Sequence, residues 1–79
     1  MVIPKRLPNL AATAIRNGWG VEVTNDGTRV SAVFQRHGPH RTDYVWLEWE
    51  RAALRVSTIN GISTPYTQCT RLIRSNEGA

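Results

Sequence analysis

The chain has 79 residues, and its ten basic and six acidic side chains give a formal charge of +4. That length holds one hydrophobic core, so a single domain over 1–79 is expected and a second is not. One cysteine, Cys69, excludes a disulfide framework, while the lack of any run of about 18 apolar residues, or of a charged-then-apolar leader, predicts no membrane span and no secretory signal and places the protein in the cytoplasm.

Residues 1–6 carry Pro4, Lys5 and Arg6 without periodicity and read as an extended lead-in. From Leu7 to Asn17 the spacing predicts a short helix, with Leu7, Leu10, Ala11, Ala14 and Ile15 on one face. Pro8 suits a first turn, Asn9 is a candidate N-cap, and Gly18 supplies the left-handed residue that ends a helix.

Trp19 then leads into a strand in which Val21 and Val23 alternate with Glu22 and Thr24. Asn25-Asp26-Gly27 is a strong turn signal, because all three tolerate positive φ. A second strand follows from Thr28 to about Gln35, with Val30, Ala32 and Phe34 on one face. Residues 36–43 are polar, contain Gly38-Pro39 and read as an exposed loop. The third strand, Tyr44 to Trp49, puts Val45, Leu47 and Trp49 inward and Tyr44 and Trp46 outward. Leu54 to Ile59 reads as a fourth strand, Leu54 and Val56 inward and Arg55 and Ser57 outward, closed by Asn60-Gly61.

Ser63 or Thr64 can cap a last helix with Pro65 near its start and Tyr66, Cys69, Leu72 and Ile73 as its apolar stripe. Tyr66, Gln68 and Thr70 alternate well enough to permit a strand over 64–74 instead. Residues 75–79 read as a frayed tail. The expected fold is therefore a small α+β domain: an N-terminal helix, an antiparallel β-meander of three to four strands and a C-terminal helix. Two such short helices can cover only one sheet face, which leaves the other as a functional or oligomeric surface.

Enzyme chemistry finds little support. Gly18 and Gly20 lack the third glycine and the following helix of a phosphate-binding loop. No serine sits in a nucleophile motif, and Glu48 and Glu50 read as the solvent face of a half-buried strand. His37 and His40, three apart, supply two metal ligands where a structural site needs four, so no metal and no cofactor is expected. Cys69 falls on an apolar helix stripe and reads as a small buried hydrophobe.

Binding is better supported. A pI near 10.2 favours polyanionic partners. Arg36, His37, His40 and Arg41 at a hairpin tip would make a basic finger for phosphates, extended by Lys5, Arg6 and Arg16 near the first helix and Arg71 and Arg74 on the last. The bland alternative is a set of unrelated, solvated arginines, and their distribution in space decides between the two. Tyr44 and Trp46, if their face is bare, form an exposed aromatic patch that marks a protein interface or a homo-oligomer contact.

The run Ala11-Ala12-Thr13-Ala14-Ile15-Arg16-Asn17-Gly18-Trp19-Gly20-Val21-Glu22-Val23 resembles small uncharacterised accessory proteins of mycobacteriophages and related actinobacterial phages. The Arg-rich, Lys-poor usage and the segment from Thr64-Pro65-Tyr66 to Arg71-Leu72-Ile73-Arg74 are similar too. The resemblance implies an accessory product acting in the host cytoplasm, of a class that binds host proteins or DNA, and it assigns no active-site residue. The expectation is a non-enzymatic, homo-oligomeric protein that binds nucleic acid through the basic loop and the helix arginines. The alternative is a module that targets a host protein through Tyr44 and Trp46.

Overall fold

Helix α1 spans Leu7–Arg16, with Pro8 in its first turn and Leu7, Leu10 and Ala14 as its buried stripe. The computed structural model describes residues 4–75, so of the tail expected over 75–79 only Ser75, whose carbonyl accepts from Arg36, is described, and residues 76–79 lie outside the described residues, as do residues 1–3. Within the lead-in, Pro4 to Leu7 form a turn rather than an extended segment. The Leu7 N–H donates to the Pro4 carbonyl at 3.1 Å and the Leu10 N–H to the Arg6 carbonyl at 3.0 Å. Arg6, not Asn9, therefore occupies the N-cap position. Ile15 is 63% exposed, because it lies about 100° round the helix from Ala14 and past the edge of the buried stripe.

The end of α1 is a Schellman closure. Gly18 takes φ +86°, its N–H donates to the Ile15 carbonyl at 3.2 Å, and the Trp19 N–H donates to the Ala14 carbonyl at 2.9 Å. This reversal delivers Trp19, 3% exposed, into the core cluster.

Among the described residues five strands follow: β1 (Gly20–Asp26), β2 (Arg29–His37), β3 (Thr42–Glu50), β4 (Ala53–Ile59) and β5 (Ile62–Ser63), paired antiparallel in chain order. The fifth arises because Asn60 and Gly61, at φ 52° and 82°, turn the chain back for one further two-residue strand. The first hairpin turns at Gly27-Thr28, one step later than the Asn-Asp-Gly signal suggests, with Gly27 supplying the positive φ.

The β3–β4 turn puts two non-glycine residues, Arg51 and Ala52, at φ 51° and 65°. The Arg51 N–H donates to the Thr28 carbonyl at 2.8 Å, tying this turn to the first hairpin. A left-handed conformation costs an L-residue about 1–2 kcal/mol, so Ala52→Gly is expected to raise stability by about 1 kcal/mol, read as a higher urea midpoint at unchanged slope.

Strand β4 departs from the expected facing. Its pairing slips between Glu48 and Trp49, leaving Arg55 as an extra residue, so that Val56 pairs with Glu48 and Ser57 with Leu47. This β-bulge turns Val56 to the outer face and Ser57 to the inner one, where the Ser57 hydroxyl donates to the Thr64 carbonyl at 2.6 Å.

Residues 66–74 are helical: α2 spans Tyr66–Arg74 and buries Cys69, Thr70 and Ile73. No side chain caps it, and the Thr64 hydroxyl donates to the Ile62 carbonyl instead. The Asn17 amide donates to the Ile73 carbonyl at 3.1 Å at one end of the helix pair, and Leu7 and Tyr66 line one groove at the other. The helices therefore run parallel, side by side. Both pack on the sheet face that carries Val30, Ala32, Phe34, Val45, Leu47 and Trp49. No described helix is long and apolar enough to cross a membrane.

Candidate functional site

The proposed basic finger does not survive folding intact. Strand β2 continues through Arg36 and His37, and β3 begins at Thr42, so only residues 38–41 remain as loop. Strand alternation then carries Arg36 to the same face as Phe34, and its cross-strand partner Asp43 to the same face as Val45. Arg36 is 3% exposed and Asp43 4%. One guanidinium nitrogen of Arg36 donates to the Ser75 carbonyl at 2.7 Å, another lies 3.9 Å from Asp43 Oδ2, and the guanidinium carbon sits 4.5 Å from the centroid of the Trp19 ring. Arg36 is thus a clamp inside the fold, joining the β2–β3 hairpin, the end of α1 and the end of α2, and it is withdrawn from any phosphate surface.

The other loop residues stay outside. Arg41 is exposed, but its Nε lies 3.3 Å from Asp43 Oδ1, so part of its charge is already answered. His37 Nδ1 is 3.2 Å from the Thr42 hydroxyl, and His40 is exposed at the tip. Among the described residues no group of three or more His, Cys, Asp or Glu is placed to hold a metal.

The helix cations fare differently. Lys5, Arg6, Arg16, Arg71 and Arg74 are all exposed, and neither helix contains a carboxylate. Because the helices are parallel, Arg16 lies in the last turn of α1 at the same end as Arg71 and Arg74 of α2, where cations also offset the negative ends of both helix dipoles. Arg71 and Arg74 line one shallow surface groove with Thr67, Thr70 and Ser75. Lys5 and Arg6 stand at the opposite end, over a groove of about 380 Å³ whose apolar lining is Leu7, Trp49, Leu54 and Tyr66. That groove is not foreseeable from sequence, since four separate segments build it.

The bare sheet face has the opposite character. Register places Glu22, Asp26, Glu48 and Glu50 there with one arginine, Arg29, which is 3.8 Å from Glu50. Tyr44 and Trp46 project from the same face, 37% and 36% exposed, as strand alternation predicts. Val33 and Thr58 flank Trp46 across the two neighbouring strands. The Ser31 hydroxyl donates to Glu48 Oε1 at 3.1 Å.

Cys69 is fully buried, and burial pushes its thiol up from the ordinary value despite an opposing backbone hydrogen bond. A buried thiol kept protonated at neutral pH is a packing group, not a nucleophile. Comparison of the chain with family models, with curated proteins and with solved structures finds no match, so the two opposed surfaces are read from their own chemistry.

Proposed function

We propose that this protein is a non-enzymatic binding domain that takes nucleic acid on its helix layer. The observation that supports this reading is the partition of charge among the described residues: five exposed cations on or beside two helices that contain no carboxylate, where the one carboxylate beneath them, Asp43, is buried, against Glu22, Asp26, Glu48 and Glu50 on the open sheet face. A phosphate backbone is attracted to the first surface and repelled by the second. The reading keeps Lys5, Arg6, Arg16, Arg71 and Arg74 as phosphate contacts, adds His40 and Arg41 only at the margin, and drops Arg36.

Fluorescence anisotropy with labelled duplex and single-stranded DNA across a salt series tests it. If three to five cations engage duplex phosphates, log affinity falls against log salt with a slope of roughly −3 to −4.5. Replacing Arg71 and Arg74 together by Ala should weaken binding to all sequences alike and make that slope shallower by about 2. Absence of binding at low salt would overturn the reading, and an unchanged slope in the double variant would overturn its placement on the helices.

A second reading is favoured by the open face, where exposed Trp46 and Tyr44 stand among carboxylates. An aromatic, acidic surface suits a basic protein partner, a host factor if the chain is a phage accessory product, better than it suits bases on a phosphate backbone. Under this arrangement Trp46→Ala abolishes protein capture and leaves DNA binding unchanged. Loss of DNA binding in that variant would move nucleic acid to the sheet.

A further inference from the structure

We infer that β1 is a self-pairing edge, and that two copies of this chain join through it into one continuous ten-stranded sheet. The two edges of the sheet are built differently. The β4 edge is blunted by the Arg55 bulge and by the two-residue β5, both devices that stop strands from adding. Strand β1 has seven residues, no proline, no lysine and no irregularity in its pairing with β2, and among the described residues no other strand pairs with its outer side.

Hydrogen-bond parity fixes which of its groups are offered. Asp26 and Arg29 close the two-residue turn and exchange bonds, so Thr24, Glu22 and Gly20 also point their N–H and C=O groups at β2. Those of Val21, Val23 and Asn25 point outward. The side chains of the same three residues lie on the helix side of the sheet, and Val23 is 46% exposed there.

The charges select one register. With the two-fold axis at Val23, all seven residues pair: Val23 meets Val23 of the partner subunit, Glu22 meets Thr24 of the partner subunit, and Asp26 meets Gly20 of the partner subunit. Moving the axis to Glu22 sets two glutamates opposite each other, and moving it to Thr24 sets Glu22 against Asp26 of the partner subunit; like charges in those positions are unfavourable. Axes further along leave part of the strand unpaired. Parity also requires both helix layers to lie on one side of the joined sheet, so the basic layer and the acidic aromatic face are each doubled. This inference is independent of the nucleic-acid reading.

Light scattering on the full chain over a wide concentration series tests it, with circular dichroism to check each variant. The wild type should approach twice its 8.9 kDa mass as concentration rises. Val23→Pro removes an outward N–H but no bond within the sheet, so it should stay folded and monomeric; Val23→Lys should do the same by placing two cations face to face. A Val23→Cys variant should form a cross-linked dimer on mild oxidation, because directly opposed residues in a bonded pair sit about 5.5 Å apart at Cα, whereas Thr24→Cys should not. A wild type that is monomeric throughout, or a dimer that survives both Val23→Pro and Val23→Lys, would overturn the proposal. So would a dimer lost only in Trp46→Ala, which would place the contact on the open face.

Discussion

Replacing Arg36 by Ala is expected to cost about 3–5 kcal/mol of folding stability, the range for removing one member of a buried ion pair. The contacts of the guanidinium disappear with it. The Ser75 carbonyl loses a 2.7 Å donor, the Trp19 ring loses its cationic cover, and Asp43, 4% exposed, keeps Arg41 at its rim. For a domain of this size each kcal/mol moves the thermal midpoint by about 4–8 °C, so the midpoint should fall by at least about 12 °C. Arg41→Ala, which removes the exposed member of the same group, should cost less than about 1 kcal/mol. Arg36→Lys should recover only part of the loss, since one ammonium cannot reach Ser75, Asp43 and the ring face as a planar fork does. Similar midpoints for Arg36→Ala and Arg41→Ala would show that the clamp carries no special weight. The consequence for function is direct: a defect in DNA binding caused by Arg36→Ala reports on folding, and only exposed cations such as Arg71 and Arg74 test the surface.

The clamp was visible in the sequence but hidden by a competing signal. Val30, Ala32, Phe34 and Arg36 keep one parity, and so do Asp43, Val45, Leu47 and Trp49, so opposite charges end both apolar faces at a matched cross-strand position. The Gly38-Pro39 pair made the whole segment 36–43 read as loop, although it needs only the four central residues. Alternation read alone placed Tyr44 and Trp46 outward correctly, because β3 is regular between residues 42 and 48. It failed on β4, where a single bulged residue inverts every facing beyond it and the sequence gives no glycine to mark the site. Helix α1 was legible from Pro8, its apolar spacing and Gly18. The apolar groove under Lys5 and Arg6 and the gathering of Arg16 with Arg71 and Arg74 at one end of the helix layer were not legible, because both depend on which way the two helices run, and that is set by packing.

Trp19→Ala should be the other large loss, about 3–5 kcal/mol, as for other large aromatic side chains removed from a core. The backbone bonds of the Schellman closure do not involve the side chain, so α1 should still form and far-UV circular dichroism should change little at low denaturant. What goes is the ring, which is 3% exposed and packed between the core and the Arg36 guanidinium. A desolvated cation–π contact is worth about 2 kcal/mol, and the two residues also share the cavity that either deletion opens. The paired deletion should therefore cost less than the separate costs added together, by about 1–2 kcal/mol, in a double-mutant cycle read from urea midpoints. Additivity within about 0.5 kcal/mol would mean that the ring and the guanidinium merely lie next to each other, and that Arg36 is held by its polar contacts and not by the ring.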